Sequence, residues 1–288
     1  MSLIYISMWE SLKKRIIPGL SFGAIIAGSV FFSKWSFAGI LILSIILCTN
    51  EFFKIVKSIR DEEKDVFIGF HSYFITALTV LSFLLGFLFS AGYLPNTVLS
   101  IIPLLFLAIL FVELFSKSTK PFMNIGLNVT SLLYIGMPMF MANYIVFVNH
   151  EYDGRLLLGA MLLVMLNDVG AYFMGSWFGK TPLFPRISPK KTIEGTIGGY
   201  IVTLGFAYLA HVIIGATQLQ VTLADWLIIS VLCSTGAIVG DLVESLFKRS
   251  LQIKDSGSAI PGHGGFLDRF DAILYSLPII AVYVILRF

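Results

Sequence analysis

The chain has 288 residues, of which 57% are hydrophobic and only 13% charged, with a mean hydropathy of +0.89. Soluble domains carry about 25% charged residues, so this composition excludes a soluble globular protein. The net charge of +3, with no basic tract clear of the apolar segments, makes no case for a nucleic-acid partner.

Lys13, Lys14 and Arg15 precede a first apolar run that leads to no small-residue cleavage pattern, so it reads as a retained helix and not a signal peptide. From there, windows of about 19 residues give about nine candidate transmembrane helices, at roughly 16–33, 36–57, 68–91, 97–115, 125–148, 155–178, 195–216, 223–247 and 269–287. Turn residues mark most breaks: Gly92 and Pro95, Pro121, Asp153 and Gly154, Pro182 to Pro189, and Gly257 to Gly265. The expected fold class is an all-α polytopic integral membrane protein. Residues 1–150 form N-terminal packing and lipid-facing helices, and residues 151–288 form the region that carries the motifs. Cys48 and Cys233 lie far apart inside apolar runs, without ligand spacing, and read as reduced core residues.

With alternate connections on opposite sides, all but Lys34, Arg155 and Arg287 of the 20 basic residues gather on one side. Basic residues are held in the cytoplasm, which predicts a cytoplasmic N-terminus and a C-terminus outside. The pairs Gly19/Gly23, Gly175/Gly179, Gly195/Gly199 and Gly236/Gly240 predict close helix packing in the C-terminal half and would allow a homodimer.

Acids in or at the ends of spans are Glu51, Glu113, Asp168, Glu194, Asp241, Glu244, Asp268 and Asp271. Each costs at least about 2.5 kcal/mol at a helix centre, so it needs a polar cavity or a partner. Glu51 and Glu113 stand in no motif and read first as structural groups. Asp241, Glu244, Ser245 and Lys248, at offsets of three, four and seven, make a polar stripe on one helical face. At 1.5 Å per residue, Asp241 lies about 9 Å from the helix end near residue 247, within reach of a lipid headgroup. Asp268 and Asp271 are spaced to converge at the start of the last helix. Hard carboxylate oxygens beside a basic loop, without a His or Cys cluster, suit magnesium bound together with phosphates. Lys190, Lys191 and Thr192, just ahead of another helix, could bind phosphate through charge and free N–H groups. The same run could anchor the chain to anionic lipid.

The interval from Ser245 to Asp271 resembles the signature of the phosphatidate cytidylyltransferases, or CDP-diacylglycerol synthases. Its fixed elements stand here as Ser245, Lys248, Arg249, Lys254, Asp255, Pro261, His263, Gly264, Gly265, Asp268, Arg269 and Asp271. The family is also similar to this chain at Asp168, Ala171 and Tyr172, at Phe178-Gly179-Lys180, and at Ser188 to Thr192 followed by Glu194-Gly195. The resemblance runs over roughly 160–275, departing at Asn167 and Val169, where more acidic or smaller neighbours of Asp168 are the pattern.

The resemblance implies transfer of the cytidylyl group of CTP to phosphatidic acid, giving CDP-diacylglycerol and pyrophosphate. It places the site on the cytoplasmic face of a bacterial inner membrane, among membrane lipids. It implies Mg2+, with or without a monovalent cation, held by Asp241 and Asp268 with Asp271 or Asp168 assisting. Asp241, Asp268, Lys248 and Asp271 would be catalytic. Lys190, Lys191, Thr192, Ser245, Arg249, Lys254, His263, Gly264, Gly265 and Arg269 would bind substrate. A polyprenol kinase or a CDP-archaeol-type synthase would use the same CTP chemistry, and an ion-coupled transporter would use the acids differently.

Overall fold

Backbone in hydrocarbon must satisfy its own N–H and C=O groups, which a helix does within itself. The computed structural model describes residues 21–59, 66–116, 118, 120–214, 219–253, 257 and 265–288, and these fold mainly into helices. In chain order they are α1 (Ser21–Phe32), α2 (Lys34–Ile59), α3 (Val66–Ser90), a 3-10 turn (Asn96–Ile101) running into α4 (Ile102–Leu114), and α5 (Pro121–Ser131). A π-helical segment, Leu132–Gly136, leads into α6 (Met137–Val146), followed by α7 (Arg155–Phe178), α8 (Ile193–Ile214), α9 (Leu223–Ser250) and α10 (Leu267–Arg287). Two small antiparallel hairpins interrupt them: β1 (Phe147–Val148) with β2 (Glu151–Tyr152), and β3 (Pro182–Phe184) with β4 (Ser188–Thr192). Pro121 marks a start and not only a break. It occupies the first turn of α5, where the missing N–H has no partner to lose.

Eight helical runs among the described residues are long and apolar enough to cross a membrane, which makes the chain an all-α polytopic membrane protein. The expected first span is represented by α1, which is shorter within the described residues. Even so, α1 travels from one end of the bundle to the other. Phe22 meets Phe266 and Phe270 edge-on at 5.2 and 5.9 Å beside the start of α10, whereas the Val30 carbonyl accepts a hydrogen bond from the Tyr152 hydroxyl at 2.5 Å. The chain then reverses at Ser33. Its hydroxyl accepts from the Ser36 N–H and the Ser36 hydroxyl accepts from the Ser33 N–H, both at 3.1 Å. This reciprocal cap starts α2, which runs back so that Phe52 stacks on Phe247 of α9 at 5.5 Å.

The connections therefore alternate between two ends. Lys34, Arg155 and Arg287 lie at one, and the end of α9, the start of α10 and the β3–β4 hairpin, which flank the signature loop, at the other. At the loop end, Glu113 on α4 meets His71 Nε2 of α3 at 3.1 Å and accepts from Asn124 Nδ2 of α5 at 3.0 Å. Asn128 Nδ2 in turn lies 3.0 Å from His71 Nδ1. The cost of burying Glu113 is thus met by a polar tie joining three helices.

Close packing in the C-terminal half rests on small residues. A Cβ at Gly195 would stand 2.7 Å from the Ala171 carbonyl oxygen, so α7 and α8 meet backbone to backbone. Gly199 faces Asn167 and Gly236 faces Ser276 in the same way, which spends these glycines on contacts inside the chain. Away from the loop, α9 and α10 are clamped by Asp225. It completes a capping box with Thr222 and accepts from the Tyr283 hydroxyl at 2.6 Å and from Arg287 Nε at 3.0 Å. Asp225→Ala is expected to lower stability by roughly 2 kcal/mol through loss of the cap and of a charged acceptor. Unfolding of the detergent-solubilised protein measures this, and an unchanged midpoint would contradict the clamp.

Candidate active site

Asp241, Glu244, Ser245 and Lys248 share one face of the last turns of α9, and that face is turned to the start of α10. Contact at this level depends on Gly240. A Cβ there would stand 2.6 Å from the Asp271 carbonyl oxygen, closer than side chains approach, and 3.1 Å from Ala272 Cα, a tight contact. With the backbones so near, carboxylate oxygens of Asp241, Glu244 and Asp271 all lie within 4.8 Å of one another. Glu244 is 1% exposed and Asp241 and Asp271 are half-buried, so three carboxyl groups converge in poorly solvated surroundings.

Cations border this group on two sides. Lys248 Nζ lies 2.6 Å from Glu244 Oε2 and 2.9 Å from Asp268 Oδ1, joining α9 to α10 through one ammonium. The other oxygen of Asp268 accepts the Gly265 N–H at 2.8 Å. The structure thus brings Asp241 and Asp271 together with Glu244, while Asp268 stands next to them holding Lys248 and the end of the loop. From the opposite side, Lys191 on β4 forms an ion pair with Asp241.

The β3–β4 hairpin that carries Lys191 is fixed at both ends. The Thr192 hydroxyl caps α8 by accepting the Gly195 N–H at 3.1 Å, and the Glu194 carboxylate accepts the N–H groups of Lys180 and Thr181 at 3.1 Å. Arg249 Nε reaches the Ile187 carbonyl at 3.5 Å, a further tie between hairpin and α9. Lys190 and Arg269 are exposed, and Ser245 is half-buried on the α9 stripe. Asp168 is exposed on α7 beside Asn167, whose Nδ2 lies 3.5 Å from its Oδ1, and it is outside the three-carboxylate group. Lys254, His263 and Gly264 lie outside the described residues.

Two groups were not singled out for this site by sequence. Glu244 was visible as part of the stripe, three residues from Asp241, but Asp268 drew the metal-ligand assignment because it lies in the signature. Tyr134 comes from the π-helical segment. Its hydroxyl is buried with no hydrogen-bond partner among the described residues, in the electrostatic neighbourhood of Asp241, Glu244 and Asp271. Nothing in its local sequence distinguishes it.

Three hard oxygen donors with no nitrogen or sulfur ligand among them fit a magnesium ion that keeps further positions for water or phosphate oxygens. Together, fold and site define a polytopic membrane protein with a carboxylate and lysine centre at one end of its bundle. Residues 13–287 match the model of the cytidylyltransferase family, and the chain belongs to that family. Its relatives include the phosphatidate cytidylyltransferase of Bacillus subtilis, 37% identical over 164 residues that cover 56% of this chain and 59% of that one. Those of Staphylococcus haemolyticus (39% over 171 residues, 59% and 63% of the two chains) and Staphylococcus aureus strain COL (38% over 193 residues, 65% and 68%) are similar. The aligned stretch thus spans about three fifths of the first of these relatives.

Because the α9–α10 approach is backbone on backbone, Gly240→Ala should force the helices apart at a cost of about 1–3 kcal/mol. Chemical unfolding of the purified variant measures it, and a wild-type midpoint would contradict the close approach.

Proposed function

We propose that the chain transfers the cytidylyl group of CTP to phosphatidic acid, giving CDP-diacylglycerol and pyrophosphate. The observation that carries this reading is the convergence of the Asp241, Glu244 and Asp271 oxygens within 4.8 Å, flanked by Lys191 and Lys248. Both substrates are polyanions, and carboxylates that would hold Mg2+, with lysines beside them, suit bringing the two together. The family membership and the names of the relatives support the choice of substrates. The basic residues that the sequence assigns to one side support a cytoplasmic face with the N-terminus on that side, and the bacterial relatives support a bacterial inner membrane.

In this reading a phosphatidate oxygen attacks the α-phosphorus of CTP in line. The new P–O bond forms as the bond to the bridging oxygen breaks, and that electron pair leaves on pyrophosphate. No general base is required, since phosphatidate is already ionised near neutral pH. Asp241, Glu244 and Asp271 would hold Mg2+, which when bound supplies charge neutralisation of the phosphate oxygens. Lys191, which borders Asp241, would meet a phosphate oxygen, and Lys190, Arg249 and Arg269 would serve the triphosphate. Asp268 orients Lys248. The site's depth near the helix ends lets the acyl chains stay in the bilayer while the headgroup reaches the centre.

Purified protein supplied with CTP, phosphatidate and Mg2+ is expected to release pyrophosphate and CDP-diacylglycerol in equal amounts. Asp241→Asn and Glu244→Gln should each lower kcat by roughly 100-fold or more, the scale of several kcal/mol of lost charge stabilisation. Formation of CDP in place of pyrophosphate would assign a lipid kinase. Substrate movement across liposomes without CTP turnover would assign a transporter.

A further inference from the structure

Glu51 lies in the N-terminal half, far from every motif, in the middle of a helix that the sequence gives no chemical task. Its side chain is nevertheless aimed at the site. Glu51 Oε2 accepts the backbone N–H of Leu267, the first residue of α10, at 2.7 Å across 216 positions of sequence. That N–H needs an outside partner. The residue before it, Phe266, has a helical backbone and offers no side-chain cap, and the first turn's N–H groups have no acceptor within the helix. The second oxygen, Glu51 Oε1, is buried with no hydrogen-bond partner among the described residues. It is turned toward Gly257 in the signature loop, where a Cβ would stand 3.0 Å from the Glu51 carboxyl carbon. The neighbouring Phe52 stacks face to face on Phe247 of α9, with 8° between ring planes, so α2 bears on both helices of the site at one level.

A carboxylate costs several kcal/mol to bury alone, so one held 7% exposed against a helix start has an acceptor's task there. The turn it caps carries Asp268, and Asp271 follows directly after it on the same helix. We infer that Glu51 is a positioning residue for the proposed cytidylyl transfer: its carboxylate sets the first turn of α10 against α9 and so aligns Asp268 and Asp271 with Asp241, Glu244 and Lys248. The inference rests on the proposed function for its kinetic part, and on geometry alone for its structural part. It gives the N-terminal helices a share in the chemistry, since α2 supplies the cap that α10 lacks.

The test uses the full chain in lipid nanodiscs, as Glu51→Leu, which removes the acceptor while keeping most of the volume, and Glu51→Gln, whose amide oxygen can still accept the Leu267 N–H. In Glu51→Leu, backbone amides of residues 265–269 should exchange with deuterium at least about tenfold faster, with those around Thr222 and Asp225 unchanged. Its kcat for pyrophosphate release should fall at least about tenfold with KM for CTP within about threefold, whereas Glu51→Gln stays within about threefold of wild type in both. Wild-type exchange at 265–269 in Glu51→Leu, faster exchange throughout the bundle, or equal losses in both variants would each overturn the inference. A wild-type protein that releases no pyrophosphate, with exchange at 265–269 still faster in Glu51→Leu, would instead overturn the proposed function and leave the capping role standing.

Discussion

Lys248 holds Glu244 with one part of its ammonium and Asp268 with another, so a single cation joins the helix that enters the signature loop to the helix that leaves it. Without that cation, acids would crowd the end of a helix pair whose backbones are already in contact at Gly240. A buried carboxylate that loses a charged partner costs several kcal/mol, so the charges here are mutually dependent. Lys191 extends the dependence outward to the β3–β4 hairpin. The hairpin, α7 and α8 are in turn locked by Glu194 and by the Gly195 approach. The centre thus belongs to four helices and a hairpin rather than to the loop alone.

The N-terminal helices support this arrangement from behind. The reversal at Ser33 sends α2 back toward the loop end, and Phe52 and Glu51 make contact with α9 and α10 there. The tie among His71, Glu113, Asn124 and Asn128 fixes the ends of α3, α4 and α5 at the same level. Glu113 and Glu51 looked alike in sequence, as lone acids in apolar runs. In the fold they differ: one closes a network within its own half, and the other reaches the helix that carries the acids of the centre.

How much of this was legible depended on whether the signal was local. Apolar run length and turn residues located the spans to within a few residues, because the period of hydrophobicity is a property of each segment by itself. The stripe from Asp241 to Lys248 was readable for the same reason, since residues three and four apart share a helix face. Which acids meet across two helices was not readable, because that depends on the approach at Gly240 and on how far α10 is rotated. Asp268 was therefore set beside Asp241 as a metal holder, with Asp271 only assisting. Only the structure separates Asp271, beside Asp241, from Asp268, beside Lys248. Glu51 was visible only as a lone acid without a task and Tyr134 not at all, since the groups they face at the site lie more than 100 residues away.

The one-residue reversal between α1 and α2 also bears on how such a chain enters a bilayer. Two antiparallel helices joined at Ser33 can be inserted as a pair, and the tip carries little that resists passage through hydrocarbon. The Ser33 and Ser36 hydroxyls and N–H groups satisfy each other, and the Ser36 hydroxyl also donates to the Ser29 carbonyl at 2.6 Å. The only charge there, Lys34, lies over the rings of Trp35 and Tyr93, 5.9 and 5.0 Å from their centroids, a setting suited to the far interface. The turn at Ser33 thus meets its own polar needs, and the second helix delivers Glu51 to the loop end as it returns.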